Sequence, residues 1–417
     1  MSKGTRITAA IAVVGTLVVA WAFLPSPEPV ARGLAAKAMK TLLSRARSGD
    51  SFPYDAAVAR IDEALANRRA RAALRNDDWL TLEQLAGGHM ERARLTGDWN
   101  DFRHAEEALD RAFAGAPEGG GPHLTRAALD YALHRFDRIE PSLRAVEARA
   151  IVTADARRAV RSMRADVALQ KGQYDEAGAL YAELLEEART RDAVVGAAGH
   201  RWQTGRRDEA ETLLAEAEEL ASGSDVLTRA WVCLARGLLA LDDARHEDAL
   251  GHYRRGLELF PGWYLLEEHE AEVLALTGEE DRALAIYRRL IERTGDPEFM
   301  DAAAGILEER GERAEAAELR ARAHEGHEAR LAMFPEAAYG HALGHFLEHE
   351  GDAARAVEIA ERNRDTRPNG EAWTQLAQAY LHAGRAADAR AAITRVQATP
   401  YRSLELEETA ATILATR

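Results

Sequence analysis

Between Tyr54 and Leu74 the apolar residues Val58, Ile61 and Leu65 recur at spacings of three and four, which places them on one stripe of an amphipathic helix. Similar spacing returns along most of the remaining chain, interrupted by glycine-centred turns. From residue 155 onward the interruptions become periodic. Gly172, Gly205, Ala244, Gly278, Gly311, Gly351 and Gly384 each stand five residues before an alanine that opens a new helix. Those alanines are Ala177, Ala210, Ala249, Ala283, Ala316, Ala356 and Ala389, and successive turns lie 33, 39, 34, 33, 40 and 33 residues apart. A period of about 34 residues predicts helix pairs stacked into a solenoid, because each pair can bury its apolar face only against its neighbours.

Upstream the same phrasing is weaker. Trp79 to Ala116 predicts a hairpin turning at Gly97-Asp98, with Ala105, Leu109 and Ala112 on its second helix and Pro117 as its stop. Leu124 to Arg149 predicts another around His134-Arg135-Phe136. The first residues differ in kind. Lys3 and Arg6 precede an uncharged run, Ile7 to Leu24, which at 1.5 Å per residue spans about 27 Å as a helix, enough for one bilayer crossing. The run also fits a secretory signal with Ala20-Trp21-Ala22 as its cleavage site. Pro25, Pro27 and Pro29 then predict an extended spacer. The expected organisation is therefore a signal anchor or signal peptide (1–24), a proline-containing basic linker (25–52), degenerate helical hairpins (53–154) and a repeat array (155–417).

The repeats resemble the tetratricopeptide repeat family. In the last one, Trp373, Leu376, Ala377, Tyr380, Gly384, Ala389 and Ile393 fall where that family places Trp, Leu, a small residue, Tyr, Gly, Ala and a large apolar residue. Leu343, Gly344, Leu347, Gly351, Ala356 and Pro368 supply the preceding unit, and Gly237, Ala249, Tyr253 and Pro261 an earlier one. The resemblance implies an all-α fold, a right-handed α-solenoid of stacked hairpins, here preceded by one N-terminal hydrophobic helix. It also implies a non-enzymatic scaffold that binds a protein or peptide in its concave groove.

Composition narrows the partner. The formal charge of −15 opposes nucleic acid, whose phosphates need a basic stripe. The only lysines are Lys3, Lys37, Lys40 and Lys171, so the lysine-based carboxylate clamp of the resembled family is absent. No phosphate loop, nucleophile elbow or paired-histidine zinc-protease motif occurs, and no enzyme, cofactor or favoured metal is expected. The single cysteine, Cys233, lies among apolar residues and is expected to be an inert buried thiol. The N-terminal run implies an inner-membrane anchor with the repeats facing the periplasm, or a secreted or periplasmic protein after cleavage. Arg32, Lys37, Lys40, Arg45 and Arg47 oppose that orientation, since positive flanks favour the cytoplasm.

In the resembled family, residues ten, six and two before the turn glycine face the groove. Before Gly351 these are His341, His345 and His349; before Gly278, Glu268, Glu272 and Leu276; before Gly311, Asp301, Gly305 and Glu309. Leu234 and Leu238 take the same places before Ala244, with Trp231 near. The expected groove is thus acidic and histidine-lined toward the C-terminus and apolar before it. Three roles remain open for the histidines: a stripe without a ligand, a face for a basic peptide, or a transition-metal site. The last, read as a periplasmic metal-handling protein, requires a carboxylate or histidine from a neighbouring helix, because one helix brings only adjacent turns to one ion.

Overall fold

The computed structural model describes residues 53–74, 78–221, 225–348 and 353–415. The apolar run 7–24, the linker 25–52, His349 and Gly351 lie outside the described residues. Among the described residues there is no strand, and no helix is long and apolar enough to cross a membrane. Helix α1 (Tyr54–Leu74) leads into two hairpins, α2 (Trp79–Thr96) with α3 (Asn100–Gly115) and α4 (His123–Ala132) with α5 (Ile139–Glu147).

Seven hairpins follow: α6 (Ala154–Gln170) with α7 (Tyr174–Glu187), α8 (Arg191–Gln203) with α9 (Arg207–Leu220), and α10 (Val226–Asp242) with α11 (His246–Leu259). Next are α12 (Tyr264–Leu276) with α13 (Glu280–Thr294), α14 (Pro297–Glu309) with α15 (Arg313–Met333), and α16 (Pro335–Glu348) with α17 (Ala353–Thr366). The last pair is α18 (Gly370–His382) with α19 (Ala386–Gln397), and α20 (Leu404–Ala415) packs on it.

The turn residues owe their identity to backbone geometry. Gly172, Gly205, Gly278, Gly311 and Gly384 have φ between 70° and 87°, the left-handed region that glycine enters without steric cost. After each, the next amide bonds back to a carbonyl five residues earlier, as Gln173 N does to Ala168 O at 2.8 Å, closing a Schellman cap. Ala244 takes the same conformation without the glycine, at φ 55°. Every alanine five residues further on is buried, because it sits where the two helices of the hairpin approach most closely.

The two helices of a hairpin start differently. First helices carry side-chain caps at Thr153, Thr190, Asp225, Asp296 and Asn369, whereas the second helices α7, α9, α11, α13, α15 and α19 have none and place Asp or Glu in the first turn, where the helix dipole favours them. The two long intervals have simple causes. One is taken up by the 17 residues of α10 together with a longer connection before it, the other by the 21 residues of α15.

The superhelix winds tightly enough for its later repeats to touch its earlier ones. Tyr54 N donates to Pro261 O at 3.0 Å, and Arg402 N to Gln203 O at 2.9 Å. Asn369 Nδ2 donates to Gln170 Oε1 across 199 residues of sequence. Trp99, beside the α2–α3 turn, lies under the Arg330 guanidinium at 4.9 Å and edge-on to His341 at 5.9 Å. Turns of the early hairpins are thus seated on the junctions between late ones. One hydrophobic cluster runs from Tyr54 to Ile413, with a second around α16, α17 and α18.

Candidate functional site

Trp231, Leu234 and Leu238 on α10 are all buried in the hydrophobic core, so the apolar stretch expected in the groove is packing between helices and not an open surface. Cys233, on the same helix, is buried too, and burial pushes its thiol up to about 11, which leaves it unreactive. The polar positions form two clusters.

The first is on α12. His269 Nδ1 lies 2.9 Å from Glu272 Oε2 and 3.1 Å from Glu268 Oε2, and Tyr253 stacks on the imidazole at 5.5 Å between centroids. Burial pushes the Glu268 carboxyl up to about 8. Burial opposes protonation of His269, yet Glu268 and Glu272 together hold it above its ordinary value. Glu272 is only 1% exposed, and its Oε1 and the Tyr253 hydroxyl have no hydrogen-bond partner among the described residues.

The second cluster is assembled from three helices. Asp301 of α14 accepts from His345 Nδ1 of α16 at 2.9 Å and from His327 Nε2 of α15 at 2.8 Å. Arg320 Nη1 donates to the same carboxylate at 2.9 Å, and His324 Nδ1 lies 3.2 Å from His345 Nε2. Burial would raise Asp301, but the hydrogen bonds from His327 and His345 outweigh it and hold its carboxyl well below the usual range. His327 and His345 are fully enclosed, whereas the Asp301 side chain keeps 13% of its surface.

His341 does not join that cluster. Its Nδ1 pairs with Glu298 Oε1 at 3.0 Å, and Arg330 bridges Glu298 to Asp296. Burial opposes the ionised form of Glu298, but His341 and Arg330 keep its carboxyl below its ordinary value. The groove pattern therefore brings Asp301 together with His345 and Glu268 with Glu272, and separates His341 from His345. Glu298, Arg320 and His327 are absent from the predicted groove positions. Arg320, His324 and His327 sit at helical spacings of four and three, so a shared face of α15 was visible in the sequence.

What remains open is a strip along the first helices of three consecutive hairpins: Glu268 on α12, Glu298 and Asp301 on α14, and His341 on α16. All are half-buried, and three of the four are acidic.

No family model matches the chain. A TPR repeat-containing protein of Treponema pallidum (strain Nichols) is 32% identical over 123 residues, which is 29% of this chain and 15% of that protein. The chain thus spans a small part of that relative. Among solved structures, the Rap protein complexed with competence and sporulation factor is 12% identical, with 85% of this chain and 99% of that chain covered and a TM-score of 0.46. The human IFIT1 dimer with m7Gppp-AAAA is 14% identical, with 80% and 79% covered and a TM-score of 0.45. Neither TM-score carries a functional reading. The repeat period, the capped left-handed turns and the buried alanines make this chain an array of stacked helical hairpins, and over 123 residues it is similar to a TPR repeat-containing protein.

Proposed function

We propose that this protein is a non-enzymatic scaffold that holds a protein or peptide partner through a basic segment laid along the strip of Glu268, Glu298, Asp301 and His341. The half-buried carboxylates of Glu298 and Asp301 on α14, flanked by Glu268 on α12 and His341 on α16, carry this reading. Positive side chains gain there from charge complementarity in a partly desolvated setting. The net charge of −15 supports a basic protein and opposes a nucleic acid. The run Ile7 to Leu24 supports an inner-membrane anchor or export signal that sets the repeats at the extracytoplasmic face.

The test is site-specific photo-crosslinking in living cells. A crosslinker replacing His341 should trap a discrete protein, whereas one replacing Glu292, exposed on α13, should not. Capture should fall with salt on the scale of a Debye length of about 8 Å, and with Glu268→Lys. Equal capture from both positions, insensitive to Glu268→Lys, overturns the strip as the docking face. An alkaline phosphatase fused after Arg417 should be active; activity only of a cytoplasmic reporter overturns the location.

A further inference from the structure

We propose that Asp301, His327 and His345 form a binding site for one divalent transition-metal ion of the zinc class. Each contributes one ligand atom, and those atoms all lie within 4.8 Å of one another. Asp301 is 26 residues from His327 and 44 from His345, and the three come from three successive helices. Packing of α14, α15 and α16 therefore sets the constellation before any ion arrives. Three ligands at about 2.0–2.2 Å from a tetrahedral ion stand about 3.3 Å apart. The separations of 2.8 Å from His327 to Asp301 Oδ2 and 2.9 Å from His345 to Oδ1 lie just below that, and every separation in the set of three lies within 4.8 Å, so side-chain adjustment of about an ångström completes the site.

Proton bookkeeping is simple. Asp301 Oδ2 and His327 Nε2 now share one proton, and Asp301 Oδ1 and His345 Nδ1 another. An ion takes the place of both, and each neutral imidazole carries its proton on its other nitrogen. For His345 that is Nε2, which then donates to His324 Nδ1 at 3.2 Å, the kind of outer contact that orients a ligating histidine. For His327 it is Nδ1, a buried atom with no hydrogen-bond partner among the described residues. Arg320 stays on Asp301 and fixes the carboxylate.

The exposed part of Asp301 is the way in, and a fourth position remains for water or a ligand atom of a partner. Two imidazoles and one carboxylate suit Zn, Co or Ni, whereas Mg and Ca favour oxygen-only sets. The Glu268–His269–Glu272 cluster is a weaker candidate, because all three residues come from one helix and only one is an imidazole.

The experiment uses the full chain, without a histidine tag and stripped by chelator, titrated with Co2+ and then Zn2+. One equivalent of Co2+ should produce visible d–d absorption that Zn2+ displaces, with a Kd tighter than about 1 μM, equivalent to about 8 kcal/mol. X-ray absorption of the zinc-loaded wild type should count two imidazoles. His327→Gln and His345→Asn should each weaken binding by on the order of 100-fold or more, and His341→Ala, whose imidazole pairs with Glu298, by less than about threefold. The absorption measurement needs no variant, so misfolding of a histidine variant leaves the test intact. Binding weaker than about 100 μM, a count of one imidazole, or unchanged affinity in a folded His345→Asn variant overturns the site.

Discussion

The Tyr174 hydroxyl accepts a hydrogen bond from the Gly370 backbone amide at 2.7 Å, across 196 residues of sequence and five hairpins of the array. Tyr174 opens α7 just after the turn at Gly172, and Gly370 opens α18. The Gly172 turn itself is pressed against the junction before α18: a Cβ built on it would lie 2.8 Å from Pro368 O. A solenoid is ordinarily quasi-one-dimensional, each repeat contacting only its neighbours. Here a second set of contacts, between late and early repeats, is laid over the first.

Replacing Tyr174 by Phe isolates that set. The ring still packs near Tyr401, at 6.3 Å between centroids, but the buried Gly370 amide loses its acceptor. An unsatisfied buried donor costs about 1–3 kcal/mol. Urea denaturation should report a loss of that size. A change below about 0.5 kcal/mol would mean that the amide finds another partner.

Removing residues 369–417 tests the same contacts at larger scale. Nearest-neighbour packing alone predicts faster amide exchange only in α16 and α17. The late-to-early contacts add a distant effect, because Gln170, Gln203 and Asp242 lose Asn369, Arg402 and Leu404 as partners. Hydrogen exchange should therefore rise at the turns around Gly172, Gly205 and Ala244 as well. Protection unchanged at those turns would show that the late repeats rest on the early ones without stabilising them.

Much of this fold is written in the sequence because its signals are local. A glycine at φ 70° and an alanine between crossing helices are demanded by the chain within one hairpin, so both recur at fixed spacing. The contact of Tyr174 with Gly370 leaves no such trace, since it depends on pitch accumulated over five hairpins. The candidate site divides along the same line. Glu268 with Glu272 and His341 with His345 were visible as spacings of four residues. Whether His345 meets His341 or Asp301 depends on how α16 packs on α14, which no spacing encodes. The plain burial of Trp231, Leu234 and Leu238 has the same origin: the family's inward positions are open only where the superhelix is.

Glycines within the helices give a paired test of packing. A Cβ on Gly237 of α10 would sit 2.1 Å from Tyr253 Cε1, in a ring that is fully buried. Gly251, on α11, would meet nothing within 4 Å. Gly237→Ala should thus cost about 1–3 kcal/mol through overpacking. Gly251→Ala should stabilise by up to about 1 kcal/mol, since alanine is the better helix former. Thermal melts of the two variants should move in opposite directions; parallel shifts would contradict the approach of α10 to α11.

Acidity should stabilise the array, and Glu405 shows why. Burial, with Glu371 and Asp242 near it, pushes its carboxyl up to about 8 from an ordinary 4.5, although Gln378 Nε2 donates to it at 3.0 Å. Glu268 is raised to about 8 as well. A carboxyl whose folded value is raised is protonated in the native state while the unfolded chain has already released its proton. Its contribution is fully present below pH 4.5 and is lost as the pH climbs toward 8. Groups shifted the other way act lower: Glu298 below its ordinary value, and His123, His134, His200 and His252, which burial holds below 6.5, add stability as the pH rises toward 6.5. Between about pH 7 and 8, above the range of those histidines, stability should therefore fall with rising pH, by at most about 1.4 kcal/mol per pH unit for each raised carboxyl. Glu405→Gln keeps the shape and removes the titration, so its urea midpoint should exceed that of the wild type at pH 8 and lie near it at pH 5. A wild type whose stability rises from pH 7 to 8, with the variant parallel to it, would show that Glu405 is ionised in the folded protein.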